Sequence, residues 1–218
     1  EEVKAYEVGA KSQWADNRLQ ANVSAFYYDY TDKQELRRDE FGLILINAAE
    51  ATSQGIEIEL VANPMPDLSI DTTISYLKAE YDDFTSIDVA NSELGLQDLS
   101  GNTLPSSPEI KFNLGIEYQW HVGSRGQLSS RIDYSWTDDQ YSSFFNRERD
   151  ELPSHSFTNA RFNWLAADGS WEGSLYVKNL ENNEVISSRF DGVRFLRFPE
   201  LGQYYPPRTY GLSLTKHF

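Results

Sequence analysis

The chain has 218 residues and a formal charge of −15, with no Cys and a single Met beside 13 Tyr, 12 Phe and 5 Trp, so aromatic rings rather than sulfur must carry any special packing or ligand chemistry. Absent thiols exclude disulfides, Cys-held metals and Cys nucleophiles, and 34 acids against 19 bases argue against wrapping a nucleic-acid backbone, which needs clustered Lys and Arg. No apolar run reaches the ~18 residues of a spanning helix, but a transmembrane barrel strand needs only about 9–11 residues of alternating character, so the mean hydropathy of −0.57 does not exclude a membrane.

The opening EEVKAYEVGA has neither a basic start nor an apolar signal core, which implies a removed signal or a beginning inside a larger protein. Alternation of apolar and polar residues marks strands whose two faces meet different surroundings, and it predicts a first strand over 3–14. The turn ADN (15–17) leads to a second strand over 18–37, with Leu19, Ala21, Val23, Ala25 and Tyr27 opposing Gln20, Asn22 and Ser24. After RDEFG (38–42) comes a third over 43–62, where Ile56, Ile58 and Leu60 oppose Glu57 and Glu59. NPMPD (63–67) turns the chain into a fourth over 68–83, with Leu68, Ile70, Ile74 and Tyr76 against Ser69, Asp71 and Thr73. A long polar segment over 85–108 precedes the clearest strand, 109–121: Ile110, Phe112, Leu114, Ile116, Tyr118 and Trp120 take one face, Lys111, Asn113, Gly115, Glu117 and Gln119 the other. VGSRG (122–126) connects it to 127–141, with Leu128, Ile132, Tyr134 and Trp136 against Ser129, Arg131, Asp133 and Ser135. A long loop over 142–155, a strand over 156–165, the turn AADGS (166–170), a strand over 170–187 and a long loop over 189–207 follow. The last strand, 208–218, sets Tyr210, Leu212, Leu214, Lys216 and Phe218 against Thr209, Gly211, Ser213, Thr215 and His217.

The predicted class is all-β, an antiparallel meander of about nine strands. Short turns rich in Gly, Pro, Asn and Asp alternate with long irregular loops, the habit of outer-membrane barrels, whose short turns face the periplasm. On that assignment strands one and nine both run inward and Phe218 ends on the periplasmic side. Single-chain bacterial barrels have even strand numbers, so nine strands predict part of a larger barrel, cut on its N-terminal side. From the pattern alone, a water-soluble β-sandwich or barrel with one buried face reads similarly.

Several words in this order are similar to a known family. YEVGAKSQW and RLQANVSAFYYDYTDKQ carry Gly9, Lys11, Phe26, Tyr27 and Gln34; INAAEATSQGIEIEL carries Asn47, Ala48, Gly55, Glu57 and Glu59; GNTLPSSP carries Gly101, Asn102, Leu104, Pro105 and Pro108; LYVKNL and PPRTYGLSLTKHF carry Lys178, Asn179, Leu180, Pro207, Arg208, Tyr210, Gly211 and Phe218. Together they resemble the C-terminal part of a TonB-dependent outer-membrane receptor. The chain departs from that pattern in ENNEVI after KNL, and in Lys216, where the family more often has a residue suited to lipid; a Lys near a strand end can snorkel to headgroups.

The resemblance implies a place in the bacterial outer membrane as the C-terminal portion of a 22-stranded transmembrane β-barrel around a plugged lumen, with residues 1–218 supplying about nine strands and the plug and N-terminal strands absent. It implies active uptake of a scarce small molecule, such as a ferric siderophore, vitamin or oligosaccharide, captured by external loops and released by plug rearrangement. Expected partners are outer-membrane lipid, the TonB complex through the missing plug, and the assembly machinery, which would read the terminal Phe218 with Tyr210, Leu212 and Leu214. A passive porin or channel, and a soluble β-sandwich carbohydrate-binding module, are the rival readings.

Ile110, Phe112, Leu114, Ile116 and Ile132 are expected to face lipid, and Tyr76, Tyr118, Trp120, Tyr134 and Trp136 to form interfacial girdles. Ligand contacts are expected among loop aromatics and bases: Phe144, Phe145, Arg147 and Arg149 in one loop, Arg194, Phe195, Arg197, Tyr204 and Tyr205 in another. Cation and ring together suit an anionic chelate or a sugar, although packing of loop on loop uses the same residues. His121, His155 and His217 show no spacing for metal or acid–base work and are expected to be solvated. The acidic pairs at 82–83 and 138–139 at strand tops fit solvated loop edges better than a Ca²⁺ site. No enzyme signature and no cofactor site is expected.

Overall fold

The computed structural model describes residues 1–39, 42–191 and 200–218. In chain order its strands are β1 (Glu2–Trp14), β2 (Leu19–Asp39), β3 (Gly42–Met65), β4 (Leu68–Asp83), β5 (Thr85–Ile87), β6 (Leu96–Asp98), β7 (Ile110–His121), β8 (Gln127–Thr137), β9 (Gln140–Tyr141), β10 (Glu151–Leu152), β11 (His155–Leu165), β12 (Trp171–Lys178), β13 (Ile186–Asp191), β14 (Glu200–Tyr204) and β15 (Thr209–Lys216). Only short 3₁₀ turns interrupt them among the described residues. Nine strands form one antiparallel sheet in the order β1-β2-β3-β4-β7-β8-β11-β12-β15, so every wall strand pairs with the next one met along the chain. The remaining six make three two-stranded ribbons, β5 with β6, β9 with β10 and β13 with β14; the first lies within a predicted long loop, and the other two take up the ends of predicted strands as well. The expected nine-stranded meander is therefore what forms.

Two predicted strands end early. The eighth, expected to reach residue 187, stops at Lys178 because Asn179 adopts a left-handed φ of 52° and its side chain turns the chain back: Oδ1 accepts the Asn183 N–H at 2.8 Å and Nδ2 donates to the Asn183 and Pro206 carbonyls at 2.9 and 3.3 Å. Residues 186–191 belong to a separate ribbon. The sixth, expected to reach 141, stops at Thr137, and Gln140–Tyr141 pairs with Glu151–Leu152 instead.

Register sorts the side chains into two faces. One row crosses all nine strands as Trp14, Leu19, Ala62, Ile70, Ile116, Ile132, Ala160, Val177 and Tyr210. On the opposite face, Lys11, Asn22, Glu59, Thr73, Asn113 and Ser135 make a polar row. The apolar face is open, with Val8 73 % and Leu212 79 % exposed. Buried apolar packing instead gathers at the long-loop end of the polar face, where Ala49, Ala51, Tyr81, Phe84 and Leu99 form a cluster joined by Phe144 and Phe145. Among the described residues the sheet buries apolar groups under its loops, and not against a second sheet as a sandwich core does.

Candidate functional site: the loop-rich end and the polar face

Loops meet over the polar face at the long-loop end, and their contacts begin with aromatic packing. Tyr81 at the top of β4 stacks on Phe84 (centroids 4.8 Å apart), Phe84 meets Phe144 edge-on at 5.2 Å, and Phe144 touches Phe145 at 4.8 Å. These spacings suit aromatic pairs, and they seat the 142–150 segment on the wall. Asn146, at a left-handed φ of 49°, then clips the two loops together. Its Oδ1 accepts the Thr103 N–H at 2.6 Å, while its Nδ2 donates to the Thr103 and Ser143 carbonyls at 2.9 and 3.1 Å. Asn102 Nδ2 donates back to the Phe144 carbonyl at 2.9 Å.

Arg147 is the ionic centre of this clasp. It donates from Nε and Nη2 to the two oxygens of Asp150 at 2.7 and 3.0 Å, and from Nη1 to Asp88; both acids are buried. Its guanidinium also lies 4.9 Å from the Phe145 ring. Two carboxylates and a ring orient Arg147 within the protein, a use of a bidentate fork that fixes loop geometry. Arg149 is more open, with a 43 % exposed side chain whose Nη2 lies 3.6 Å from Asp88, and its carbonyl accepts from Arg189 at 2.8 Å.

The last long loop supplies Tyr204 and Tyr205, 60 % and 38 % exposed. Tyr205 packs on His155, which was expected to be solvated, and on Phe157, which the sequence did not single out, with all three ring centroids 5.2–5.5 Å apart. His155 and Phe157 lie on the polar face at the start of β11, opposite Thr137 and Ser135. His155 is thus half-buried among rings rather than solvated. His121 and His217 sit instead at the short-turn end, 3.5 Å from Asp67 and 3.7 Å from Glu172. Arg194, Phe195 and Arg197 lie outside the described residues.

Below the clasp, the polar face holds a charged bridge across three strands. Arg131 on β8 reaches over β7 to Asp71 on β4, donating from Nη1 and Nη2 at 2.8 and 3.0 Å, while its Nε donates to Asp133 at 2.7 Å. Gly115 lies in register between Asp71 and Asp133, beneath the guanidinium. A Cβ there would overlap Arg131 Nη2 and stand 2.6 Å from Asp71 Oδ2, so any other residue would push both side chains out of this geometry. The sequence carried a signal for this: Asp71, Gly115 and Arg131 share the polar parity of their strands.

On the apolar face, the predicted residues come together. Ile110, Phe112, Leu114 and Ile116 alternate along β7, opposite Tyr76, Ile74, Thr72 and Ile70 on one side, and Phe112, Leu114 and Ile116 face Trp136, Tyr134 and Ile132 on the other. Tyr118 and Trp120 pack edge-on at 4.8 Å at the short-turn end, whereas Tyr76 and Trp136 sit near the long loops. Tyr210, Leu212 and Leu214 are strongly exposed on β15, and Phe218 is fully exposed. Lys216 lies among rings, its Nζ 5.5 Å from Trp171 and 4.8 Å from Phe218.

Acids in the loops are capped rather than gathered. Asp82 accepts from Thr52 Oγ1 at 2.6 Å and Asp138 caps the next N–H at 3.0 Å. Two hydrogen bonds from Ser100 hold the Asp98 carboxyl below its ordinary range, and one from Thr158 does so for Glu181. Among the described residues, no group of His, Asp and Glu is arranged to hold a metal ion.

Known proteins share this architecture. The family model described as TonB dependent receptor-like, beta-barrel matches residues 1–180. Among solved structures, the ferric yersiniabactin uptake receptor FyuA from Yersinia pestis superposes with a TM-score of 0.78 at 19 % identity, over 97 % of this chain and 29 % of its own. The siderophore receptor PiuA from Acinetobacter baumannii gives 0.74 at 17 %, over 97 % and 28 %. The closed form of the ferric-catecholate import receptor Fiu from E. coli K12 gives 0.70 at 19 %, over 99 % and 27 %. The likeness to these structures is one of fold, and the chain spans less than a third of their length. With one open apolar face, loops clustered at one end and the family match over most of its residues, the chain belongs to the TonB-dependent receptor β-barrel family of bacterial outer-membrane proteins.

Proposed function

We propose that residues 1–218 form the C-terminal stretch of a 22-stranded plugged barrel that imports a scarce ligand, such as a ferric siderophore, in a step coupled to TonB. The observation that carries this reading is the match to the receptor barrel family over residues 1–180. The similar solved receptors are named for ferric yersiniabactin uptake and ferric-catecholate import, which favours an iron chelate as the ligand class.

In this reading the apolar row faces lipid and the short turns face the periplasm. Tyr76, paired with Ile110, and Tyr118 stand eight residues apart along β7, about 26 Å along the strand at a rise of ~3.3 Å, or about 20 Å of height at a strand tilt of ~40°, which places both rings toward the edges of an apolar band about 25 Å tall. The polar face packs against a plug contributed by the rest of the receptor. Phe144, Phe145 and Arg147 set the shape of the outer loops, while Arg149, Tyr204 and Tyr205, with Arg194, Phe195 and Arg197, offer charge and rings to an anionic chelate. Tyr210, Leu212, Leu214 and Phe218 present the terminal strand to the assembly machinery. The wall performs no bond chemistry; energy for uptake comes through TonB acting on the plug.

The test is uptake of a radiolabelled ferric siderophore by iron-starved cells carrying the receptor. Deleting the receptor should abolish uptake, and an uncoupler of the inner-membrane proton gradient should stop transport while leaving surface binding intact. Uptake that continues with the gradient collapsed would mark a passive channel and overturn the coupling.

A further inference from the structure

At the short-turn end, the apolar face carries a groove that ligand uptake does not use. Its walls are two turns, residues 122–126 and 166–170. Gly126 has a φ of 103°, and a Cβ there would overlap the Leu165 carbonyl oxygen and stand 2.8 Å from the Ala167 nitrogen. The turns therefore meet only because this position is glycine. The Trp164 indole N–H fixes them further by donating to the Arg125 carbonyl at 2.9 Å.

Arg125, Trp164, Asp168 and Trp171 line the groove. Trp164 stands opposite Leu128 and Gly173, and Trp171 opposite Lys216, all with the parity of the apolar face. The groove is thus continuous with the lipid-facing belt, at the height where indole rings and basic side chains meet headgroups. Arg125 is exposed, and its guanidinium makes no hydrogen bond or ion pair among the described residues. Asp168 is held by one oxygen: Oδ1 accepts the Ser170 N–H at 3.0 Å and the Ser170 hydroxyl at 2.6 Å, while Oδ2 accepts no hydrogen bond among the described residues. Those bonds hold the carboxyl below its ordinary range, so it is ionised at neutral pH.

One cation, one carboxylate and two indoles in a single groove make a set of unusual complementarity. An anionic headgroup would satisfy Arg125 and be repelled by Asp168. A quaternary ammonium has no N–H to give Asp168, whereas a primary ammonium has three. We propose that the groove seats a phosphatidylethanolamine headgroup, with Arg125 on the phosphate, Asp168 Oδ2 on the ammonium, and Trp164 and Trp171 against the glycerol and upper acyl chain. Lys216, held over Trp171, adds a second cation beside the phosphate. The proposal rests on the lipid-facing assignment of the apolar row.

The test uses the receptor extracted from its own membrane in a non-ionic detergent. Phosphatidylethanolamine, phosphatidylcholine and phosphatidylglycerol of identical short acyl chains are added in turn, and bound lipid is counted by native mass spectrometry. The unaltered protein should retain phosphatidylethanolamine over the other two by about fivefold, equivalent to the ~1 kcal/mol upper end of an exposed ion pair. Arg125→Gln should weaken all three lipids alike. Asp168→Asn, which keeps an oxygen for Ser170, should erase the preference while leaving phosphatidylglycerol bound at least as well. Equal retention of ethanolamine and choline lipids by the unaltered protein, or an unchanged preference in Asp168→Asn, overturns the proposal. Displacement of the lipid by millimolar inorganic phosphate also overturns it, because the site would then belong to a free anion. Heat-modifiable gel mobility confirms that each variant is folded, and recovery of the protein outside the membrane fraction would refute the lipid-facing assignment itself, separately from the groove.

Discussion

Arg131 and Asp71 make a bidentate ion pair although a whole strand, β7, runs between their own strands. The pair crosses at Gly115, the point where β7 has no side chain. Gly115→Ala should force the guanidinium aside and break at least one of the two bonds. With the Arg131 side chain 22 % exposed, the expected loss is about 1–2 kcal/mol, read as a lower urea midpoint for the barrel in detergent. Asn113→Ala, two residues away on the same face, should cost little. Equal losses at the two positions would show that the bridge contributes nothing.

The two faces make opposite predictions for a buried charge. Leu114→Arg, in mid-strand on the apolar face, should destabilise the protein in bilayers by roughly 2–4 kcal/mol, whereas Asn113→Arg should cost much less. Folding titrations into lipid vesicles would measure both. Similar penalties would overturn the assignment of Leu114 to lipid.

Asn146 couples two loops through a backbone conformation that few side chains adopt. Asn146→Ala removes the bonds to Thr103 and Ser143 and leaves a left-handed residue without compensation, with an expected local cost of about 1–3 kcal/mol. Asn146→Gly keeps the conformation and loses only the bonds, so it should fall between. Hydrogen exchange at 99–108 should accelerate in both variants, more in the first; unchanged exchange would mean that the aromatic cluster alone holds the loops.

Tyr205 is supported by His155 and Phe157 and still presents more than a third of its surface. If the outer rim captures an anionic chelate, Tyr205→Ala and Arg149→Gln should each weaken binding by about tenfold, the ~1.4 kcal/mol expected of a lost ring or charge contact. Tyr205→Phe, which keeps the ring, should preserve most of the affinity. Binding of a radiolabelled ferric siderophore to intact cells provides the measurement, and full affinity in all three variants would remove this rim from the ligand site.

Acid should loosen the β5–β6 ribbon at Asp98. Its folded carboxyl titrates below the ordinary value of 3.8, so the stabilisation is present above about pH 4 and disappears as pH falls through the lower folded value. Asp98→Asn should lose this dependence. Comparing proteolysis of the 96–101 segment at pH 6 and in stronger acid would reveal it, and identical pH profiles for the two proteins would show that the Ser100 bonds carry no linkage.

Much of the wall was legible because period two is a local property. Ile110 to Trp120 alternate without a break, and the register that sets Ile116 between Ile70 and Ile132 follows from aligning three such rows. The end of β12 was misplaced: the alternation of Leu175 and Val177 breaks at Asn179 and Leu180, but the residues that hold the turn there, Asn183 and Pro206, lie beyond the strand. Arg147 illustrates the same limit. An arginine between aromatics in a polar loop suits ligand binding or a salt bridge equally, and the choice depends on Asp88, 59 residues earlier. His155 escaped because a single histidine shows no spacing, and its ring neighbours come from the same strand and from a loop about 50 positions later.

The uninterrupted neighbour-to-neighbour order of the wall also governs how it can be built. Each strand needs only its predecessor as a template, so the sheet can lengthen one hairpin at a time with no strand waiting for a distant partner. One wide step joins β4 to β7, where residues 84–109 intervene, against residues 15–18 between β1 and β2. Loop-closure entropy rises only with the logarithm of length, so the wider step costs about 1.7 kcal/mol more, and the packing of Phe84 and Leu99 onto Tyr81 acts in the opposite direction by drawing that excursion back to the wall. Growth by successive hairpins keeps the polar edge of each new strand exposed for one addition only, which limits the time in which a wrong partner can pair with it.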